Sequence, residues 1–195
     1  MLSLALALTL NATPAAAPAP PVDLTAWNRR RLTTNRTAMF VLGGWAVGNI
    51  VVGSVGFGLE RDERLRWLHL GNATWNLVNL GLALAGLIGD WGKDPAGFDA
   101  RQSLEASNTQ EKILLLNAGL DVAYLAAGAF LWQRGEGTAD ARLVGFGQAL
   151  LIQGGFLLVF DTVLAILNGR LTQELLLGVD VSPTGALGAR VGWRW

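Results

Sequence analysis

Two aspartates stand inside stretches that are otherwise apolar: Asp121 near the middle of the run from about Ile113 to Trp132, and Asp161 in the distal half of the run from about Leu143 to Leu167. An ionised carboxylate at mid-bilayer costs about 2.5–3.5 kcal/mol on insertion scales, so each must be protonated, paired or hydrogen-bonded. The sequence offers partners at helical spacing. His69, Asn72, Asn76 and Asn79 follow one another by three, four and three residues and draw one polar stripe down an apolar cylinder. Asn117, Asp121, Tyr124 and Gly128, at four, three and four, make a second stripe of the same kind. Asn49 shares a face with Trp45, and Gln153 lies on the side of Asp161, whereas Gln148 points elsewhere.

Such a seam admits two chemistries. As glue it supplies interhelical hydrogen bonds, each worth about 0.6 kcal/mol, that fix which helices meet. As a wet path, Asp121, Asp161 and His69 would pass a proton, an ion or a small polar solute. No spacing separates the two, and the structural reading is taken first, with a small transporter or proton-coupled channel as the alternative. Arg31, in phase with Asn28 and Asn35, is expected to form an ion pair with Asp161, which lies in the membrane half next to the amino-terminal arginines.

Inventory removes sharper ideas. With His69 the only histidine and no cysteine, bis-histidine haem, thiolate zinc sites and thiol nucleophiles are out, and no metal or other cofactor is expected. No lysine lies within a span, which excludes a retinal Schiff base. The glycine patterns sit in apolar helices rather than after a strand, so they are not phosphate loops. With a buried seam and no evident cleft, an enzyme is not expected. A formal net charge of zero argues against a nucleic-acid partner.

The elements that must position these residues follow from composition. Of 195 residues 51% are hydrophobic and 15% charged, with a mean hydropathy of +0.37, a membrane-like balance. The expected fold is all-α, an integral membrane bundle of four transmembrane helices. Residues 1–17 resemble a signal peptide without the basic start, with cleavage expected between Ala15 and Ala17. Residues 18–38 read as a linker and an interfacial amphipathic helix, with Thr25 as its N-cap and Trp27 at headgroup level. Residues 39–167 carry the four spans, beginning with the glycine-rich run Met39–Leu59, which suits close helix association, including a homo-oligomer or a membrane-protein partner. A polar loop is expected over Asp90–Lys112, with SNTQEK as the next helix start, and residues 168–195 as an extended tail.

A shift of 75 residues lays the third span on the first, pairing Gly44 with Gly119, Val47 with Val122, Asn49 with Tyr124 and Gly53 with Gly128. This pattern is that of a duplicated two-helix hairpin. Orientation is contested. The distribution of Lys and Arg places both termini in the cytoplasm, while a cleaved signal peptide places the mature amino terminus outside, which is the placement taken here.

The stretches WNRRRLTTNRTAM, VLGGWAVGNI, HLGNATWNLVNLGLA, LLLNAGLDVAYLAAG and IQGGFLLVFD, spanning Trp27 to Asp161, together resemble a family of uncharacterised bacterial four-helix membrane proteins classed as a domain of unknown function. The resemblance implies a signal peptide, a multi-pass place in the bacterial inner membrane among its lipids, and no catalytic assignment.

Overall fold

The structure, a computed structural model, describes residues 22–179. The signal-peptide reading of residues 1–17 and the strand-like end of the tail lie outside them. Four helices follow in order: α1 (Leu24–Leu59), α2 (Glu63–Asp90), α3 (Ala100–Thr138) and α4 (Ala141–Val179), with no strand among the described residues. α1, α3 and α4 are long and apolar enough to cross a membrane, the pattern of a multi-pass membrane protein. α2 does not pass that test of length and composition, and its asparagines are the reason.

Aspartates open every helix. Asp23 Oδ1 accepts from the Ala26 N–H at 3.0 Å, Asp62 Oδ1 from Leu65 at 3.1 Å and Asp140 Oδ1 from Arg142 at 2.9 Å. Asp99 forms a reciprocal capping box with Gln102. Thr25 is therefore not the N-cap of α1, and α3 starts seven residues before SNTQEK. In the connector after α1, Glu60 Oε1 accepts from the N–H groups of Asp62 and Arg61, which holds this exposed carboxyl below the usual range.

The largest departure from expectation is helix length. α1 has 36 residues and α3 and α4 have 39 each, or roughly 54–58 Å of rise at 1.5 Å per residue, against a hydrocarbon core of about 30 Å. No break separates an interfacial helix from the first span: residues 24–38 are the opening turns of α1. The expected loop up to Lys112 shrinks to Trp91–Asp99 with one 3₁₀ turn, and α4 runs past Asn168 to Val179. All these additions lie at the same end of the antiparallel bundle. They form a polar head in which α1, α3 and α4 lock together. Asn28 Nδ2 donates to Ser103 Oγ at 2.8 Å, Trp27 Nε1 to the Leu171 carbonyl at 2.8 Å, and Ser107 pairs with Thr172 at 2.7 Å, all buried or half-buried.

At the opposite end the helices pack on glycine. A Cβ on Gly53 would lie 2.6 Å from the His69 carbonyl oxygen of α2; on Gly128, 2.8 Å from the Gly147 carbonyl of α4; on Gly145, 2.5 Å from the Arg64 carbonyl of α2. The close α1/α2 and α3/α4 hairpins thus meet along α2 and α4. Gly53 and Gly128, paired by the 75-residue shift, hold equivalent positions in their hairpins. Asn28 with Ser103 and Asn35 with Gln110, each pair also 75 apart, meet across the bundle.

This packing makes a stability prediction. A Cβ on Gly147 would lie 2.5 Å from the Trp132 backbone nitrogen, whereas one on Gly155 meets nothing within 4 Å. Thermal unfolding in detergent should show Gly147→Val destabilised by about 1–3 kcal/mol and Gly155→Ala unchanged.

Candidate polar site inside the bundle

The bundle is inverted relative to a water-soluble protein. α2 exposes Leu77, Val78, Leu82, Leu84 and Ile88 while burying Asn72, Asn76 and Asn79. α1, α3 and α4 likewise show apolar surface, including Phe40, Val51, Leu115, Leu116, Val159 and Val163. The buried polar groups divide into two layers with different chemistry.

The first layer centres on Gln153 of α4, which is fully buried. Its Oε1 accepts from Trp45 Nε1 at 2.9 Å, and its Nε2 donates to Asn72 Oδ1 at 3.0 Å and, more loosely, to Asn49 Oδ1 at 3.4 Å. One carboxamide thereby ties α4 to α1 and α2. The Trp45 ring stacks on Phe156 with centroids 4.0 Å apart, which fixes the indole for its donation. Asn79 Nδ2 donates to Asn76 Oδ1 at 3.1 Å, and Asn76 Nδ2 to the Asn72 carbonyl at 2.8 Å, so the α2 stripe is largely satisfied along its own helix.

The second layer is closer to the head and is not satisfied. Asp121 of α3 and Asp161 of α4 are 2% and 5% exposed and line one cavity together with Asn117, their carboxyl groups close enough to interact. Two carboxylates that close repel, and a single proton shared between them turns the repulsion into a hydrogen bond. Asp121 Oδ2 and the indole N–H of Trp75 are buried without a protein partner. Both residues line a cavity of about 130 Å³, with Asn79, Asn117, Tyr124 and Asp161 on its wall. Trp75 meets the Tyr124 ring edge-on at 4.8 Å. A polar cavity needs only about 10–15 Å³ to take one water.

Asn117 and Asp161 also line a second, larger cavity of about 780 Å³ that opens into the head. Its mouth carries Arg31 and Lys93 together with Asp90 and Glu105. Arg31 thus faces the same space as Asp161 but is not paired with it. Its Nη2 donates to Asn28 Oδ1 at 3.3 Å, and its guanidinium lies 5.2 Å from the Phe98 ring centroid and 5.8 Å from that of Trp27. Burial in the head lowers the Arg31 pKa, and the charge of Asp90 opposes that shift. The expected Arg31–Asp161 ion pair is therefore replaced by an aromatic clamp. His69 is also apart from the aspartates: it packs against Gly56 at the opposite end of α2. Of the sequence candidates, Asn79, Asn117, Asp121, Tyr124 and Asp161 share the small cavity, and Asn49, Asn72 and Gln153 form the other layer, with Asn76 bridging the two along α2.

Residues 41–162, which carry both layers, match the model of a family of unknown function, DUF6992. The chain belongs to the DUF6992 family. The resemblance read from the sequence holds in that respect. The matched region starts after the WNRRRLTTNRTAM stretch, so the α1 part of the head falls outside it. Among curated proteins and among solved structures nothing matches.

Within this DUF6992 protein, sequence reasoning missed Asp90. Placed in the sequence at the start of a loop, it is 4% exposed, accepts from Asn35 Nδ2 at 2.6 Å and pairs with Lys93 at 2.8 Å, while its carbonyl accepts from Arg36. Ser103, Ser107, Glu111 and Thr172 were missed too, and the overlooked signal was that Asn28 and Asn35 find their partners one repeat later. The Gln153 layer generates a direct test. Gln153→Leu strands the Trp45 indole and Asn72, and should lower stability by about 1–2 kcal/mol, some 0.6 kcal/mol for each lost bond plus the unsatisfied groups. Gln148→Leu should leave the unfolding temperature unchanged.

Proposed function

We propose that this chain is a four-span protein of the bacterial cytoplasmic membrane, not an enzyme, whose Asp121–Asp161 pair takes up a proton or a small cation reached from the head side. The observation that carries the reading is the unsatisfied carboxyl layer: Asp121 Oδ2 and Trp75 Nε1 are buried without a protein partner around a cavity that shares Asn117 and Asp161 with the head vestibule. A seam that served packing alone would close those bonds, as the Gln153 layer does. The crossing of α2 is supported by its inverted faces, asparagines buried and Leu77, Leu82 and Ile88 outward.

The Gln153 layer supports the structural reading for the other half of the seam, where it ties α4 to α1 and α2. Carboxamides neither gain nor lose protons near neutral pH, so that layer is a stop in a proton's path rather than a relay. The site therefore has one-sided access in this arrangement, and transport across the membrane requires the α1/α2 and α3/α4 hairpins to shift against each other.

The test is proton uptake into proteoliposomes loaded with a pH-sensitive dye and driven by a potassium diffusion potential. Wild type should acidify the lumen, Asp121→Asn and Asp161→Asn should fall to the rate of protein-free vesicles, and His69→Gln should keep the wild-type rate. Thermal unfolding separates function from packing: an amide at position 121 can donate to the Asp161 carboxylate beside it, so Asp121→Asn should unfold no earlier than wild type. No uptake by wild type, with Asp121→Asn unfolding several degrees earlier, would make the pair structural and remove the transport reading.

A further inference from the structure

We infer that the groove between α1 and α4 is a binding site for one anionic phospholipid, its acyl chain lying in the groove and its phosphate held by Arg29 and Arg170. The groove, about 510 Å³, is apolar through most of its length, floored by Ala38, Phe156, Phe160 and Leu164 and flanked by Val41 and Val163. Its volume is within the roughly 300–1,000 Å³ of pockets that bind small ligands. Towards the head it passes without interruption into a second concavity of about 470 Å³, because Thr33, Thr34 and Leu167 line both. The upper concavity carries Arg29, Arg30 and Arg170 against one carboxylate, Glu174.

Charge decides the occupant. Glu174 is taken by Arg30 at 2.5 Å, while Arg29 and Arg170 have no carboxylate within ion-pair distance among the described residues. Two uncompensated guanidiniums therefore stand above an apolar slot, with the hydroxyls of Thr33, Thr34 and Thr37 between them. The depth fits as well. Large apolar side chains face outward from Phe40 on α1 and up to Leu167 on α4, so Arg170, one turn beyond Leu167, sits at the edge of the hydrocarbon, and Arg29 stands at a similar height, since the nearby Trp27 bonds the Leu171 carbonyl and both arginines line one concavity. A cation at the interface with its stem along apolar surface is placed for a phosphodiester. A zwitterionic lipid would leave the two charges unmatched, and an apolar solute would not use them.

The inference needs the helices to cross a bilayer, and it does not need the carboxyl cavity. Its readout is lipid binding rather than proton uptake, so the two readings fail separately. The experiment is native mass spectrometry of the full chain in detergent, titrated with phosphatidylglycerol or with phosphatidylcholine of the same acyl chains. Wild type should retain one phosphatidylglycerol at concentrations where phosphatidylcholine is not retained. The double variant Arg29→Gln/Arg170→Gln should weaken that binding roughly 30-fold, about fivefold for each arginine near an anionic headgroup. Val163→Trp fills the slot from a position already 50% exposed and should weaken it with every arginine in place. Equal retention of the two lipids, or wild-type binding by the double variant, overturns the headgroup assignment. Wild-type binding by Val163→Trp reduces the contact to surface adsorption and overturns the groove, as does a dimer in which phosphatidylglycerol is excluded.

Discussion

A hydrocarbon environment offers no hydrogen bonds, and this one constraint orders the whole chain. Every amide and carboxyl placed on an apolar helix must find its partner inside the bundle or in a wet cavity, because the surrounding lipid supplies none. The outward faces of all four helices obey it with valine, leucine and phenylalanine. The inward faces obey it at Gln153, where Trp45, Asn49 and Asn72 converge on one carboxamide. The exceptions are therefore informative. In the head Arg31 Nε, Arg36 Nε and Asn168 Oδ1 are unpartnered too; within the apolar slab Asp121 Oδ2 and the Trp75 N–H, orphaned within the protein but beside a cavity, are where the constraint must be met by something else, water or a bound ligand.

The head solves a different problem. Below it, glycine-mediated contact holds α1 to α2 and α3 to α4 so closely that backbones touch, yet α1 meets α3 and α4 only sparingly within the apolar slab. The ties Trp27–Leu171, Asn28–Ser103 and Arg30–Glu174 lock the long helix ends together instead. Closure at the two ends with looser packing between is what leaves the cavities, which cluster on the head side. The carboxyl pair sits at their inner limit.

How much of this was legible depended on whether the signal was periodic. The all-helical class, the asparagine stripe and the placement of Asn117, Asp121 and Tyr124 on one face follow from residues repeating every three or four positions. What was lost had no such mark. The first turns of α3 and the last turns of α4 are polar outside and only sparsely apolar inside, so they read as loop and tail, and the first turns of α1 read as a separate interfacial helix rather than as part of the span; what joins them to the spans is mutual packing, not propensity. The Arg31–Asp161 pair was inferred from which half of the membrane each residue occupies, and that inference did bring them to one cavity. It stopped short of an ion pair, and the flat guanidinium rests between Trp27 and Phe98 instead.

The 75-residue correspondence between the two hairpins holds where backbones touch and fails at the carboxyl pair. Gly53 and Gly128 keep the two hairpins alike where backbone must approach backbone, since any side chain there collides. Polar positions face no such demand and differ: Asn49 in the first hairpin stands where Tyr124 stands in the second, and Ala46 stands where Asp121 does. Amides that donate and accept at once can satisfy one another or the backbone, as Asn79 does on Asn76 and Asn76 on the Asn72 carbonyl. Carboxyls cannot without a proton. Concentrating them in one hairpin, beside the vestibule and away from the Gln153 lock, separates the groups that must stay bonded from the groups that can change their charge.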